Sequence, residues 1–263
     1  MATVQDIYQF IQEKASFELQ MDFDNAGFLV GHFDRTVTRI LVALDITEAV
    51  IDEAIQQGAQ LIVAHHPVIW GSAKSVTDQT LTGKKLLSLV ENGIAAICAH
   101  TNLDAVAGGV NDALAVKLGL SEIGQLHQDG VDNQGNPYGI GRTGYVPEQP
   151  LYDFALCVKE LLGANGVRLV DGGKPVRKVA VGGGSCSGMI MDAIAHGCDT
   201  FVTSDVKYDG FLDAKALGIN LIDAGHYPTE NVVCPVLKTW LEGAFPQISV
   251  SISRQHCEVF SYL

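Results

Sequence analysis

Four apolar residues, Leu61-Ile62-Val63-Ala64, run straight into His65-His66-Pro67, and no other stretch limits the possible folds as much. A short run with no polar residue on either face predicts a strand covered on both sides, as in a parallel sheet with helices above and below it. Strands of the same kind are predicted at Phe28–Gly31, Arg39–Leu44, Ile94–Ala99, Lys178–Val181, Thr200–Thr203 and Ile219–Ile222, with a last one near 248–252. Helical spacing marks 3–20, Thr47–Gly58 with its capping threonine and closing glycine, Leu81–Asn92, Gly109–Leu118, Tyr152–Leu162, a segment ending near His196, and 231–242. Strands alternating with helices define an α/β chain.

The two halves echo each other. Arg39-Ile40-Leu41-Val42 matches Lys178-Val179-Ala180-Val181, Glu53–Gly58 matches Asp192–Gly197, and Ile62–His66 matches Phe201–Asp205, each 139 residues on. Gly93–Ile97 matches Gly218–Ile222 at an offset of 125. This ordered self-similarity predicts an internal duplication, two similar α/β units with a site in the cleft between them. Between Ile123 and Tyr145 the texture changes: residues 129–144 hold five glycines and the turn string Asp132–Pro137. A hairpin and a boundary are expected there. The first unit is then 1–125 and the second 126–263, whose terminal segment can pack back on the first.

A formal net charge of -13 and a pI near 4.9 argue against a phosphate-gripping nucleic-acid binder and against an anionic membrane surface. The opening residues mix charge with apolar positions at helical spacing, unlike a secretory leader. No segment approaches the ~18 continuous apolar residues of a membrane span. Cys98, Cys157, Cys186, Cys198, Cys234 and Cys257 are scattered, without a C-x-x-C pair, and several fall in apolar or helical runs, as ordinary reduced core cysteines do. A soluble, cytoplasmic protein is expected.

Ligands collect where the strands of a parallel sheet end. His65 and His66 follow one such strand and offer nitrogen donors suited to zinc, iron, manganese or nickel. The alternative is one exposed and one core histidine before a turn. Asp104 follows the strand ending at His100, and His226 and Glu230, four apart, follow the corresponding strand of the second half. Glu230 can equally be a helix-start carboxylate favoured by the dipole, and Asp104 a cap. Taken together, three histidines and two carboxylates at equivalent strand ends are harder to explain by chance. They suffice for two metals if a carboxylate or solvent bridges, as Glu230 can. His100 is a ligand, an orienting neighbour or a core residue. Asn25 and Asn102 hold the site by hydrogen bonds or stabilise turns. Gly182–Gly188 reads as a tight strand-to-helix turn more readily than as a phosphate cradle, since it lacks the Walker lysine. Arg142, Lys207 and Tyr208 are candidates for substrate contact.

The strings DNAGFLVG, LIVAHHPVIW, AHTNLDA and GHYPTE, in this order, resemble the Nif-three-like family, also named GTP cyclohydrolase 1 type 2 homologues. The resemblance covers essentially the whole chain. It implies two α/β domains, a dinuclear divalent-metal site (zinc, manganese or iron) between them, and a toroidal homohexamer. Its ligands fall on His65, His66, Asp104, His226 and bridging Glu230, with His100 close by. Some relatives carry an inserted middle domain; only some twenty glycine-rich residues stand there, which implies the short form. Phe23 stands where the family often has Trp. Asp209 follows Lys207-Tyr208 where many members have His, which puts a proton-transfer role at that position in doubt.

The reading that follows is a dinuclear metal-dependent hydrolase of a nucleotide-like substrate, with water held by the cations as nucleophile. The alternative is a non-catalytic metal-handling or regulatory protein.

Overall fold

A computed structural model of the chain describes residues 1–132 and 135–263. Asn133 and Gln134, in the middle of the expected Asp132–Pro137 turn, lie outside the described residues. The chain forms two compact units, residues 1–103 with 233–257 and residues 104–232 with 258–263. This division lies earlier in the chain than the change of texture near 125, since residues 121–125 already pair in the second sheet.

The first unit is built on β1 (Gly27–Val30), β2 (Arg39–Ala43), β3 (Leu61–Ala64), β4 (Ala95–Cys98) and β13 (Ser249–Ile252), in the order β1-β4-β3-β2-β13. All pairs are parallel except β1 against β4. Its helices are α1 (Val4–Lys14), α2 (Glu48–Gln57), α3 (Leu81–Glu91) and α10 (Val233–Ala244). Every residue of β3 is fully buried, which is why it carries no polar alternation. Thr47 caps α2 by accepting the Val50 N–H, and Gly58 closes it in the left-handed conformation. α1 ends at Lys14, short of the expected 3–20. There the Ala15 carbonyl accepts from Asn102 Nδ2 at 2.7 Å, and residues 17–19 form a separate 3-10 turn.

The second unit orders its strands as β5 (Ser121–Gln125), β8 (Arg142–Gln149), β10 (Val176–Val181), β11 (Thr200–Thr203), β12 (Asn220–Asp223) and β9 (Arg168–Val170). β10, β11 and β12 are parallel; the outer strands are antiparallel. A small hairpin pairs β6 (Gly130–Val131) with β7 (Pro137–Tyr138). Helices α5 (Val110–Lys117), α6 (Leu151–Leu162), α7 (Ile190–Ala195) and α8 (Tyr208–Leu217) cover the sheet. Two five-residue helices, α4 (Thr101–Ala105) and α9 (His226–Glu230), follow β4 and β12.

The parallel strands keep the sequence offsets. β2 pairs Ile40 with Leu61, and β10 pairs Val179 with Thr200. β3 pairs Leu61 with Ala95, and β11 pairs Thr200 with Asn220. α9 stands 125 residues after α4, as β12 does after β4. Among the described residues, no helix is long and apolar enough to cross a membrane.

Candidate metal centre

In the first unit, β3 delivers His65 and His66 and β4 delivers His100. Their ring centroids lie 5.0–5.4 Å apart, and one ring nitrogen from each falls within 4.8 Å of the others. His65 is fully buried and His100 nearly so. Each ring is held through Nδ1. His65 Nδ1 donates to the Ala99 carbonyl, His66 Nδ1 to Asp45 and His100 Nδ1 to Asp24, all at 2.8 Å. A carbonyl only accepts, so His65 carries its proton on Nδ1, and in the neutral ring Nε2 is the lone-pair nitrogen.

The two aspartates act in the same way because both are ionised. Burial raises the Asp24 pKa, but hydrogen bonds from His100 and Thr101 outweigh it and hold the carboxyl at about 2. Burial also opposes the charge on Asp45, and bonds from His256 and His66 hold it far below the usual carboxylate range. Asn102 accepts the His100 N–H through Oδ1 while donating to Ala15, and Asn25 Nδ2 donates to the Ile69 carbonyl in the loop after the histidines. Trp70, 57% exposed, stands edge-on to His100 at 5.2 Å.

In the second unit, α9 carries both His226 and Glu230 one turn apart, and their Nε2 and Oε2 lie 2.8 Å apart. Asp104 on α4 places a carboxylate oxygen within 4.8 Å of one from Glu230. Both carboxylates are buried. Asp205, in left-handed backbone at φ 52°, accepts from His226 Nδ1 at 2.6 Å. Burial alone would lower the His226 pKa; Glu230 and Asp205 instead raise it to about 9.

A glycine turn makes room for Glu230. A Cβ on Gly184, at φ 65°, would stand 1.9 Å from Glu230 Oε1. Four N–H groups of this turn are engaged inside the protein: Gly182 with Val202, Gly183 with Asn111 Oδ1, Gly184 with Thr229 Oγ1 and Cys186 with Thr203 Oγ1. These four donors are therefore taken and do not serve a phosphate. Burial pushes the Cys186 thiol far up, and the charges of Asp104 and Glu230 add to this, so it is no nucleophile at neutral pH.

Arg142 faces inward. It is buried, and all five guanidinium N–H groups are engaged by Asp112 and by the carbonyls of Ala105, Val106, Gly139 and Gly141. It braces the segment after α4, and no N–H is left for an external anion. Lys207 and Tyr208 are exposed at the start of α8. Asp24, Asp45, Asp205 and Asn111 escape sequence reasoning. For Asp45 and Asp205 the signal that could have found them is a carboxylate just past a strand end, facing a histidine.

The donor chemistry suits a divalent cation. Imidazole nitrogens with anchored Nδ1–H groups match zinc, iron or manganese, and two close buried carboxylates call for positive charge between them. Fold and donors define an α/β protein with histidine and carboxylate clusters of the kind that can hold a metal ion. The family model for Duf34/NIF3 (NGG1p interacting factor 3) matches residues 2–258, and the chain belongs to that family. A GTP cyclohydrolase 1 type 2 homolog from Clostridium perfringens is 34% identical over 261 residues, covering 98% of each chain. The crystal structure of a Staphylococcus aureus hypothetical protein superposes with a TM-score of 0.93 at 31% identity, covering 99% of each chain. That of a Bacillus cereus protein related to NIF3 gives 0.94 at 27% identity, covering 100% of this chain and 99% of its own.

Proposed function

We propose that this chain binds two divalent cations through His65, His66, Asp104, His226 and Glu230, with Glu230 bridging, and hydrolyses a small nucleotide-like substrate. In this reading the two units are copies of one ancestral fold. One observation carries it: every imidazole of the set is anchored through Nδ1 to a carbonyl or carboxylate, the arrangement metal-ligating histidines use to aim Nε2. The imidazolium that links Glu230 and Asp205 supports it further, because there a proton supplies the charge that a cation would otherwise bring.

When bound, divalent cations polarise a substrate oxygen and make water a nucleophile near neutral pH. The protein's own part is to fix nitrogen donors, to keep two carboxylates charged though buried, and to hold a proton at His226 Nε2 until it is displaced. Lys207 and Tyr208 are the candidates for substrate contact. His100, tied to Asp24 and packed on His65 and His66, orients its neighbours.

The test loads purified protein with Zn²⁺, Mn²⁺ or Fe²⁺ and assays nucleotides and phosphodiesters against a His65→Ala control. Anomalous scattering at the metal edges counts and places the ions. Turnover lost in the control, with two ions on the five residues, is the expected result. Turnover that survives His65→Ala, or a protein that takes up no metal, overturns the reading. Two bound ions with no turnover would favour metal handling. Light scattering tests the homohexamer that accompanies the proposal.

A further inference from the structure

The carboxylates that orient His66 and His100 are held in different ways. Asp24 has a fully buried side chain and also accepts the N–H and hydroxyl of Thr101. Asp45 lies in the loop between β2 and α2 with its side chain 39% exposed. A carboxylate so placed would be hydrated and free to rotate, and an imidazole hanging from it would be poorly aimed. What takes the place of burial is His256, whose Nε2 donates to Asp45 Oδ2 at 2.7 Å while His66 holds Oδ1 at 2.8 Å.

His256 lies beyond the last strand, in a segment without regular structure that is nonetheless fixed at several points. Ser253 N–H extends the β13 ladder to the Val42 carbonyl at 2.8 Å. Glu53 on α2, a buried carboxylate, accepts the Ser253 hydroxyl, the Arg254 N–H at 3.0 and 3.2 Å, and Gln57 Nε2 at 2.9 Å. A buried carboxylate is costly unless its hydrogen bonds do something. Here they order residues 253–254 and so set the direction in which the chain reaches His256, whose side chain is only 9% exposed.

We propose that His256 is a positioning residue for the metal centre: it locks the Asp45 carboxylate, which in turn aims His66 Nε2. The inference rests on the reading of His66 as a ligand. It gives the C-terminal segment 253–256 a part in metal affinity that none of the four recognisable motifs contains.

The test measures Zn²⁺ affinity of the full chain by chelator competition for His256→Ala, His256→Phe and His256→Gln, with melting temperature recorded for each. Replacing outer partners of metal ligands typically weakens binding 10–100-fold; one bond further out, a loss of about tenfold is expected for Ala and Phe. Gln keeps an N–H donor and should restore most of it. A packing role alone would instead let Phe outperform Gln. Asp45→Asn and His66→Ala serve as controls. If both controls lose affinity while all three His256 variants bind like the parent, or if Phe binds as well as Gln, the inference is wrong. If His66→Ala binds Zn²⁺ undiminished, the ligand assignment itself has failed.

Discussion

The β2-β3-β4 and β10-β11-β12 frames share one register but place opposite chemistry on it. Counting 139 residues on, Asp45 becomes Gly184, His65 becomes Ser204 and His66 becomes Asp205. In the first frame the loop after β2 supplies the orienting carboxylate and the loop after β3 the imidazole. In the second the loop after β11 supplies the carboxylate, the imidazole comes from α9, and the position after β10 equivalent to Asp45 is Gly184, where the Glu230 carboxylate fills the space a side chain would take. The orienting carboxylate Asp205 stands where the first frame has the imidazole of His66, and the imidazole has moved on to α9. A frame of this kind decides where polar groups emerge, and leaves open which of two partners is the nitrogen and which the oxygen. That freedom lets one topology build a nitrogen-rich cluster and an oxygen-rich one.

The sharpest way to break the comparison is to empty equivalent core positions. Ile62 and Phe201 stand 139 residues apart, each fully buried at the same place in its frame. Phe201→Ala should destabilise by about 3–5 kcal/mol and Ile62→Ala by about 2–5 kcal/mol, read by denaturant unfolding. Equal, small losses would mean the frames are not comparably packed. Next come the orienters. Asp205→Asn and Asp45→Asn should each weaken Zn²⁺ binding about 10–100-fold, and one without effect would show that the two carboxylates do not play the same orienting part. Asp205→Asn should also bring the His226 pKa down from about 9, as NMR titration would show. The sign is fixed: with its folded pKa raised, His226 contributes stability fully present below its unfolded value near 6.5 and lost as pH rises through 9.

Asp24 behaves oppositely. Its folded pKa of about 2 lies below the ordinary 3.8, so its contribution is present above pH 3.8 and lost as pH falls through 2. Urea unfolding between pH 5 and 2 should lose about 2 kcal/mol that Asp24→Asn does not lose. The smallest effect is expected at Gly184. Gly184→Ala should cost about 1–2 kcal/mol for its left-handed backbone, and should weaken metal binding by displacing Glu230. A variant with lower stability but unchanged affinity would show that Glu230 does not depend on that space.

The frames themselves are legible in the chain, because β3, β4, β11 and β12 are apolar runs bounded by polar residues. His65, His66, Asp104, His226 and Glu230 stand out because each follows such a run. The orienters do not. Asp24 and Asp205 look like turn residues, and nothing local says that Asp45 meets a histidine 211 positions away. Arg142 misleads for a related reason: β8 pairs irregularly with β5, and alternation along the strand does not reveal which side faces inward. His226 and Glu230 leave their setting open in sequence, since Pro228 permits either a loop or a first turn; the chain forms a separate helix there.

Asn111 joins two pieces of the second unit with one amide, donating to the Asp104 carbonyl at 3.0 Å and accepting from Gly183 N–H at 2.9 Å. The backbone beneath Asp104 and the turn that shapes the Glu230 niche are therefore yoked. A disturbance on either side is transmitted to the other, and Asn111→Asp, nearly the same in outline, would set like against like at that carbonyl and uncouple the pair.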